Sequence, residues 1–127
     1  MPVVALDASA LMLPVQLDLR VLDELDRLLP GAELVAPRAV VDELARLAEG
    51  NGRDARAAAV GLDLAEARCR VVEGDASSGD DALVALAADG AVDYVVTADA
   101  PLGERLLAAG VPVVGVRGRN TLAISHP

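Results

Sequence analysis

Aromatic residues are almost absent from this chain: there is no Phe, no Trp and a single Tyr, Tyr94, in 127 residues. Stacking nucleobases on aromatic rings is therefore excluded as a main means of holding a ligand. Lysine is missing altogether, since all 11 basic residues are Arg. A phosphoacceptor domain of the receiver type also clusters acids at strand ends, but it needs a Lys near its last strand, which this chain does not have. Cys69 is the one cysteine, so neither a disulfide framework nor a cysteine-based zinc cluster is available, and its apolar neighbours suit packing. The one histidine, His126, is the next-to-last residue, which rules out a Ser-His-Asp set. No Gly-rich phosphate loop occurs. No apolar run of about 20 residues offers a membrane span, and the start has neither the basic residues nor the apolar stretch of a signal peptide. These absences point to a cytoplasmic protein without membrane association.

What is present is small and aliphatic. The hydrophobic fraction of 54% comes mainly from Ala, Val and Leu, which suits helices packed closely on a sheet. A chain of 127 residues makes one domain spanning residues 1–127, large enough for a real core. Twenty acids against 11 Arg give a net charge of −9. A saline cytoplasm would favour so acidic a surface, and a GC-rich genome would favour Arg over Lys. Neutralising the four acids singled out below still leaves −9 + 4 = −5. A broad basic face for nucleic acid is not expected, so phosphate recognition must rest on metal and a few local Arg residues.

The pattern alternates strand and helix, which predicts an α/β fold: three layers, α/β/α, around a central parallel sheet of about five strands. Strands are expected at Val3–Asp7, Ala32–Ala36, Arg70–Glu73, Asp93–Ala98 and Pro112–Val116. Leu17–Leu29 has a helical period and ends at Pro30-Gly31. Further helices are expected from Pro37 to about Glu49, over Arg53–Ala67, from Ser77 or Ser78 to Asp89, and over Pro101–Ala109, with Gly110 capping its end. Residues 117–127 read as a tail with disordered last residues, although Thr121–Ile124 is apolar enough to pair on a sheet edge.

Four acids fall where such a sheet would gather them. Asp7 closes the first strand and Asp99 follows the strand ending at Ala98, and the carboxyl ends of parallel strands are where ligands bind. Each is equally well placed to cap the helix after it. On the helix after Pro37, Glu43 lies beside the buried stripe, three after Val40 and four before Leu47. Asp42 lies four before Arg46 on the wet face. Asp80 and Asp81 both open a helix, where acids also complement the helix dipole, and spacing does not choose between them. Carboxylates brought together repel unless a cation joins them, so the set reads as a divalent-metal site. Ser9 suits a metal-bound water, a phosphate oxygen or a helix cap. Arg117 and Arg119 form one short basic cluster, able to bind a phosphate or the chain's own acidic surface.

Together these residues resemble the PIN-domain ribonucleases. The resemblance covers nearly the whole chain: Asp7-x-Ser9 after the first strand, Pro37-x-x-Val40-x-x-Glu43-Leu44, Asp80-Asp81-Ala82-Leu83-Val84, and Thr97-x-Asp99. It implies catalytic, metal-binding roles for Asp7, Glu43, Asp81 and Asp99, with Asp81 taken over Asp80 on the family motif alone. It further implies Mg²⁺ or Mn²⁺ as cofactor, RNA as substrate, Ser9, Thr97, Arg117 and Arg119 as substrate contacts, and a homodimer. The Asp80-Asp81 doublet, the ending Gly110-Val-Pro-Val-Val and Arg117-Gly-Arg look most like archaeal members. Those are related to VapC-type toxins, which have a partner antitoxin, and to endonucleases that process ribosomal RNA. Two departures stand out. Ala98 replaces the usual Asn or Arg, and Arg105 is the one basic residue in a segment that is commonly basic. They count against tight RNA binding and leave metal chemistry untouched. The alternative is a PIN fold that serves as a binding or assembly module without catalysis; the acidic surface favours it and the presence of all four acids opposes it.

Overall fold

Val-rich runs form the core strands, and the computed structural model describes residues 1–127. In order the elements are β1 (Val3–Leu6), α1 (Ala8–Gln16), α2 (Val21–Leu28), β2 (Glu33–Pro37), α3 (Arg38–Ala48) and α4 (Gly52–Arg68). They continue as β3 (Arg70–Val72), α5 (Gly79–Ala88), β4 (Tyr94–Val96), α6 (Ala100–Ala108), β5 (Val113–Arg117) and β6 (Thr121–Ser125). The strands make one sheet in the order β3-β2-β1-β4-β5-β6. The first five are mutually parallel, and β6 returns antiparallel to β5. The α/β expectation holds, with a sixth strand added.

This order positions everything that follows. From β1 the chain winds one way to β2 and β3, then returns across β1 to β4 and β5. Right-handed crossovers place α1 to α4 on one face of the sheet and α5 with α6 on the other. α1, α3 and α4 pack on one another and α5 packs on α6, while the start of α5 also meets α3 at Gly79 and Val40. β1 and β4 are thus the neighbours at which the winding reverses, the place where open α/β sheets bind ligands. Leu6 pairs with Val96, and the Asp7 N–H continues the ladder to the Val96 carbonyl at 3.2 Å. Asp7 and Thr97 therefore leave adjacent strands side by side.

Three local expectations are corrected. The helix expected over Leu17–Leu29 starts only at Val21, as α2, and a helix that was not expected, α1, ends before it at Gln16, with Asp18 at φ 52° between them. α1 shows no period in the sequence because Ala8 and Ala10 through Leu13 are all buried, and Pro14 stands inside it. The supposed tail from 117 is the β5–β6 hairpin, and its strand reaches Ser125. Its edge is covered rather than bare, because Glu24 accepts the Leu122 N–H at 2.9 Å and Arg27 donates to the Leu122 carbonyl at 3.0 Å. Those two α2 side chains also pair with each other at 2.8 Å, closing the edge to another strand.

Candidate active site

Asp7 is the one carboxylate in the core, with 4% of its surface exposed. Its Oδ1 accepts the Ala10 N–H at 2.8 Å, capping α1 as the alternative reading expected. Ser9 Oγ lies 2.8 and 2.9 Å from its two oxygens, and the Thr97 hydroxyl donates to Oδ2. Both hydroxyls are held in turn from β4's end: Ala98 N–H donates to Ser9 Oγ at 2.9 Å, and Asp99 N–H donates to Thr97 Oγ1 at 3.0 Å. The Asp7-x-Ser9 and Thr97-x-Asp99 motifs are thus one interlocked unit. In this arrangement the protons of Ser9 and Thr97 aim Asp7.

Burial raises the Asp7 pKa to about 6, against the opposing hydrogen bonds from Thr97, Ala10 and Ser9, and the negative charge of Asp80 adds to the rise. A carboxylate has about four lone-pair sites, and Ala10, Ser9 and Thr97 supply three protons. One site is left. A cation there would answer both the burial and the repulsion from Asp80.

Asp99 stands at the same sheet edge, half-buried, with its Oδ1 capping α6 through the Leu102 N–H at 3.0 Å. Asp81 lies in the first turn of α5. It is exposed and pairs with Arg105 of α6 at 3.0 Å, and that hydrogen bond holds its carboxyl below the usual range. The acid whose charge reaches Asp7 is its neighbour Asp80. On a helix, consecutive residues point about 100° apart, so the two acids differ in partner: Asp81 has Arg105 and Asp80 has none. Glu43 is half-buried on α3 and lines a polar cavity together with Ser78 and Gly79 of the α5 start. Asp42 is exposed on the same helix, as its spacing predicted.

The acids gather at one edge but not into a closed cage: no three His, Cys, Asp or Glu side chains stand close enough to hold a metal ion between them. Their chemistry nonetheless fits a hard divalent cation, because every donor is oxygen. Arg117 ends β5 at this same edge and Arg119 lies in the turn after it, both exposed and outside any ion pair. Cys69 lies elsewhere, partly buried, with burial pushing its thiol up to about 11, so it is no nucleophile.

A family model described as a PIN-like domain matches residues 4–119. The chain belongs to the PIN-like domain family. That span contains all four acids, both hydroxyls and Arg117 and Arg119. Among solved structures, the PIN-like chain is similar to the PIN domain endonuclease Utp24, with a TM-score of 0.79 and 17% identity over 98% of this chain and 92% of that one. A domain of a functionally unknown protein from Methanocaldococcus jannaschii DSM 2661 superposes with a TM-score of 0.69, at 17% identity over 93% of each chain. At these identities the two structures show a shared fold. No match was found among the curated proteins. No helix of this PIN-like domain is long and apolar enough to cross a membrane.

Proposed function

We propose that this PIN-like protein is an endoribonuclease that uses Mg²⁺ or Mn²⁺ held by Asp7, Asp80 and Asp99, with Glu43 joining from α3. The observation that carries the reading is the buried, three-donor carboxylate of Asp7 at the winding reversal, with Asp80 adding charge beside it. Membership of the PIN-like family supports nuclease chemistry in general. Asp80 takes the place that the motif assigns to Asp81, because Asp81 is spent on Arg105. A bound divalent cation would supply an activated water and positive charge against the phosphate.

The chain's own groups do the rest. Ser9 and Thr97 hold the Asp7 carboxylate in one orientation, so its free lone pair needs no reorganisation on binding. The turn after β5 presents Arg117 and Arg119 at the same edge, where they fit the non-bridging oxygens of a phosphodiester. The second reading, a module without catalysis, is favoured by the acids' open arrangement and the net charge of −9.

Cleavage of a labelled RNA with Mn²⁺ separates the two. Asp7→Asn and Asp80→Asn should each lower the rate on the order of 100-fold, and EDTA should abolish it. Asp81→Asn should change it by less than about threefold, as befits an exposed ion pair. Cleavage by Asp7→Asn at the wild-type rate would mean that a different site, or a contaminant, is responsible. No cleavage by the wild type would leave the binding module.

A further inference from the structure

We propose that a nucleotide of single-stranded RNA, next to the one whose phosphate is cut, places its base and its phosphate in two adjoining cavities beside Glu43. This rests on the nuclease reading and adds where the strand is gripped. The first cavity, about 320 Å³, lies between the end of β3 and α5, with Pro37, Val72, Ala82 and Leu86 among its walls. The second, about 340 Å³, lies between α3 and the loop leading into α5, and holds Asp42, Glu43, Arg46, Ser77 and Ser78. Arg38, Ala39, Gly74 and Ala76 line both, so the two share a wall. Each falls in the lower part of the range of ~300–1,000 Å³ usual for small-molecule sites.

The two cavities differ in chemistry as the two ends of a nucleotide do. The first is half apolar, and at its mouth the Arg38 guanidinium is held against Glu73, with Nε 3.3 Å and Nη2 2.9 Å from the carboxylate. That fork fixes the plane of the guanidinium, and a fixed Arg plane stacks a base as an aromatic ring would. In a chain with no Phe and no Trp, it is a substitute for the missing platform. As an ion pair it adds little stability, because its side chains are 47% and 71% exposed. The second cavity is polar, and Arg46 is its cation with no carboxylate within ion-pair distance. Arg46 is therefore held by no ion pair, although Asp42 and Glu43 line the same cavity, whereas Arg38 is already engaged. Glu43 belongs both to this cavity and to the proposed metal set, which sets the strand's register against the cleavage point.

The test reads binding without cleavage. Fluorescence anisotropy would follow labelled RNA homopolymers of about 12 nucleotides, with the intact chain in EDTA. Arg46→Ala should weaken every homopolymer about 3- to 10-fold and reduce the slope of log affinity against log salt by about one. Ala82→Leu, which fills the first cavity, should level the differences in affinity among the homopolymers while keeping the wild-type salt slope. Arg56→Ala, an exposed Arg of α4 outside both cavities, should behave as wild type. Should Ala82→Leu fail to fold, Arg38→Ala reads the same cavity by removing its stacking surface. The proposal is overturned if the wild type binds none of the homopolymers, if Arg46→Ala matches Arg56→Ala, or if both first-cavity variants keep the wild-type order of preference. RNA cleaved normally by variants that bind normally would leave the nuclease standing and this subsite fallen. Binding that shifts as expected with no cleavage would do the reverse.

Discussion

At the scale of single residues, Asp7 joins two duties that look alternative in the sequence. It caps α1 through Oδ1 and still carries the least comfortable charge in the molecule. Its folded pKa of about 6 lies above the ordinary 3.8, so the proton is bound more tightly in the fold than in the unfolded chain. The associated stability is full below about pH 4 and is lost as pH rises through 6. The difference of about 2 units corresponds to roughly 3 kcal/mol at most for this buried group. Asp7→Asn has no charge to bury, and Thr97 Oγ1 can accept from its amide as well as from Asp99 N–H. In EDTA at pH 8 the variant should melt several degrees above wild type, and at pH 4 the two should melt together. A gap of the same size at both pH values would show that Asp7 is not the source. That Asp7 matters was legible from its place after a Val-rich strand. That Asp81 would be paired and Asp80 left without a partner was not, because Arg105 lies 24 residues further on.

At the scale of elements, strands and amphipathic helices were legible because their apolar periods differ. α1 was not, since a helix buried all round has no period to read. The site also depends on a helix contact that leaves no periodic trace. Gly79 opens α5 against α3, and a Cβ there would come within 2.9 Å of Val40 Cγ2. Glu43 lies three residues beyond Val40 and Asp80 directly follows Gly79, so this contact sets the separation of the two acids. Gly61 makes a comparable approach to α1, away from the α3–α5 contact, where a Cβ would stand 2.8 Å from the Leu11 carbonyl oxygen. Backbone yields less readily than a valine methyl, so Gly61→Ala should cost more stability, about 2–3 kcal/mol against about 1 for Gly79→Ala. Activity should follow the opposite order at a temperature where both are folded. Gly79→Ala should slow RNA cleavage about 10-fold or more, and Gly61→Ala, which presses on α1 and not on the α3–α5 contact, should slow it less. Losses of activity that simply track melting temperature in both variants would mean that the α3–α5 spacing carries no catalytic geometry.

At the scale of the whole molecule, the net charge of −9 sets how any cation is felt. Two effects raise stability when salt is added, and they separate by concentration and by residue. Surface carboxylates repel one another over a Debye length of about 10 Å at 0.1 M salt, so KCl alone should raise the melting temperature through screening. That gain should saturate by about 0.5 M, where the screening length falls to about 4 Å. A divalent ion bound between Asp7 and its neighbours acts differently. It binds the folded chain alone and adds RT ln(1 + [L]/Kd), about 2.7 kcal/mol at 100 times its Kd. Its effect should also grow with pH through 6, because the ion competes with the proton on Asp7. The decisive measurement is therefore a Mn²⁺ titration of melting temperature in 0.5 M KCl at pH 5 and pH 8. Wild type should gain several degrees at pH 8 and little at pH 5, with EDTA reversing the gain. Asp7→Asn and Asp80→Asn should gain little at either pH, and Asp81→Asn should follow wild type. A Mn²⁺ gain that survives in Asp7→Asn would assign the stabilisation to the acidic surface and remove the metal from the site.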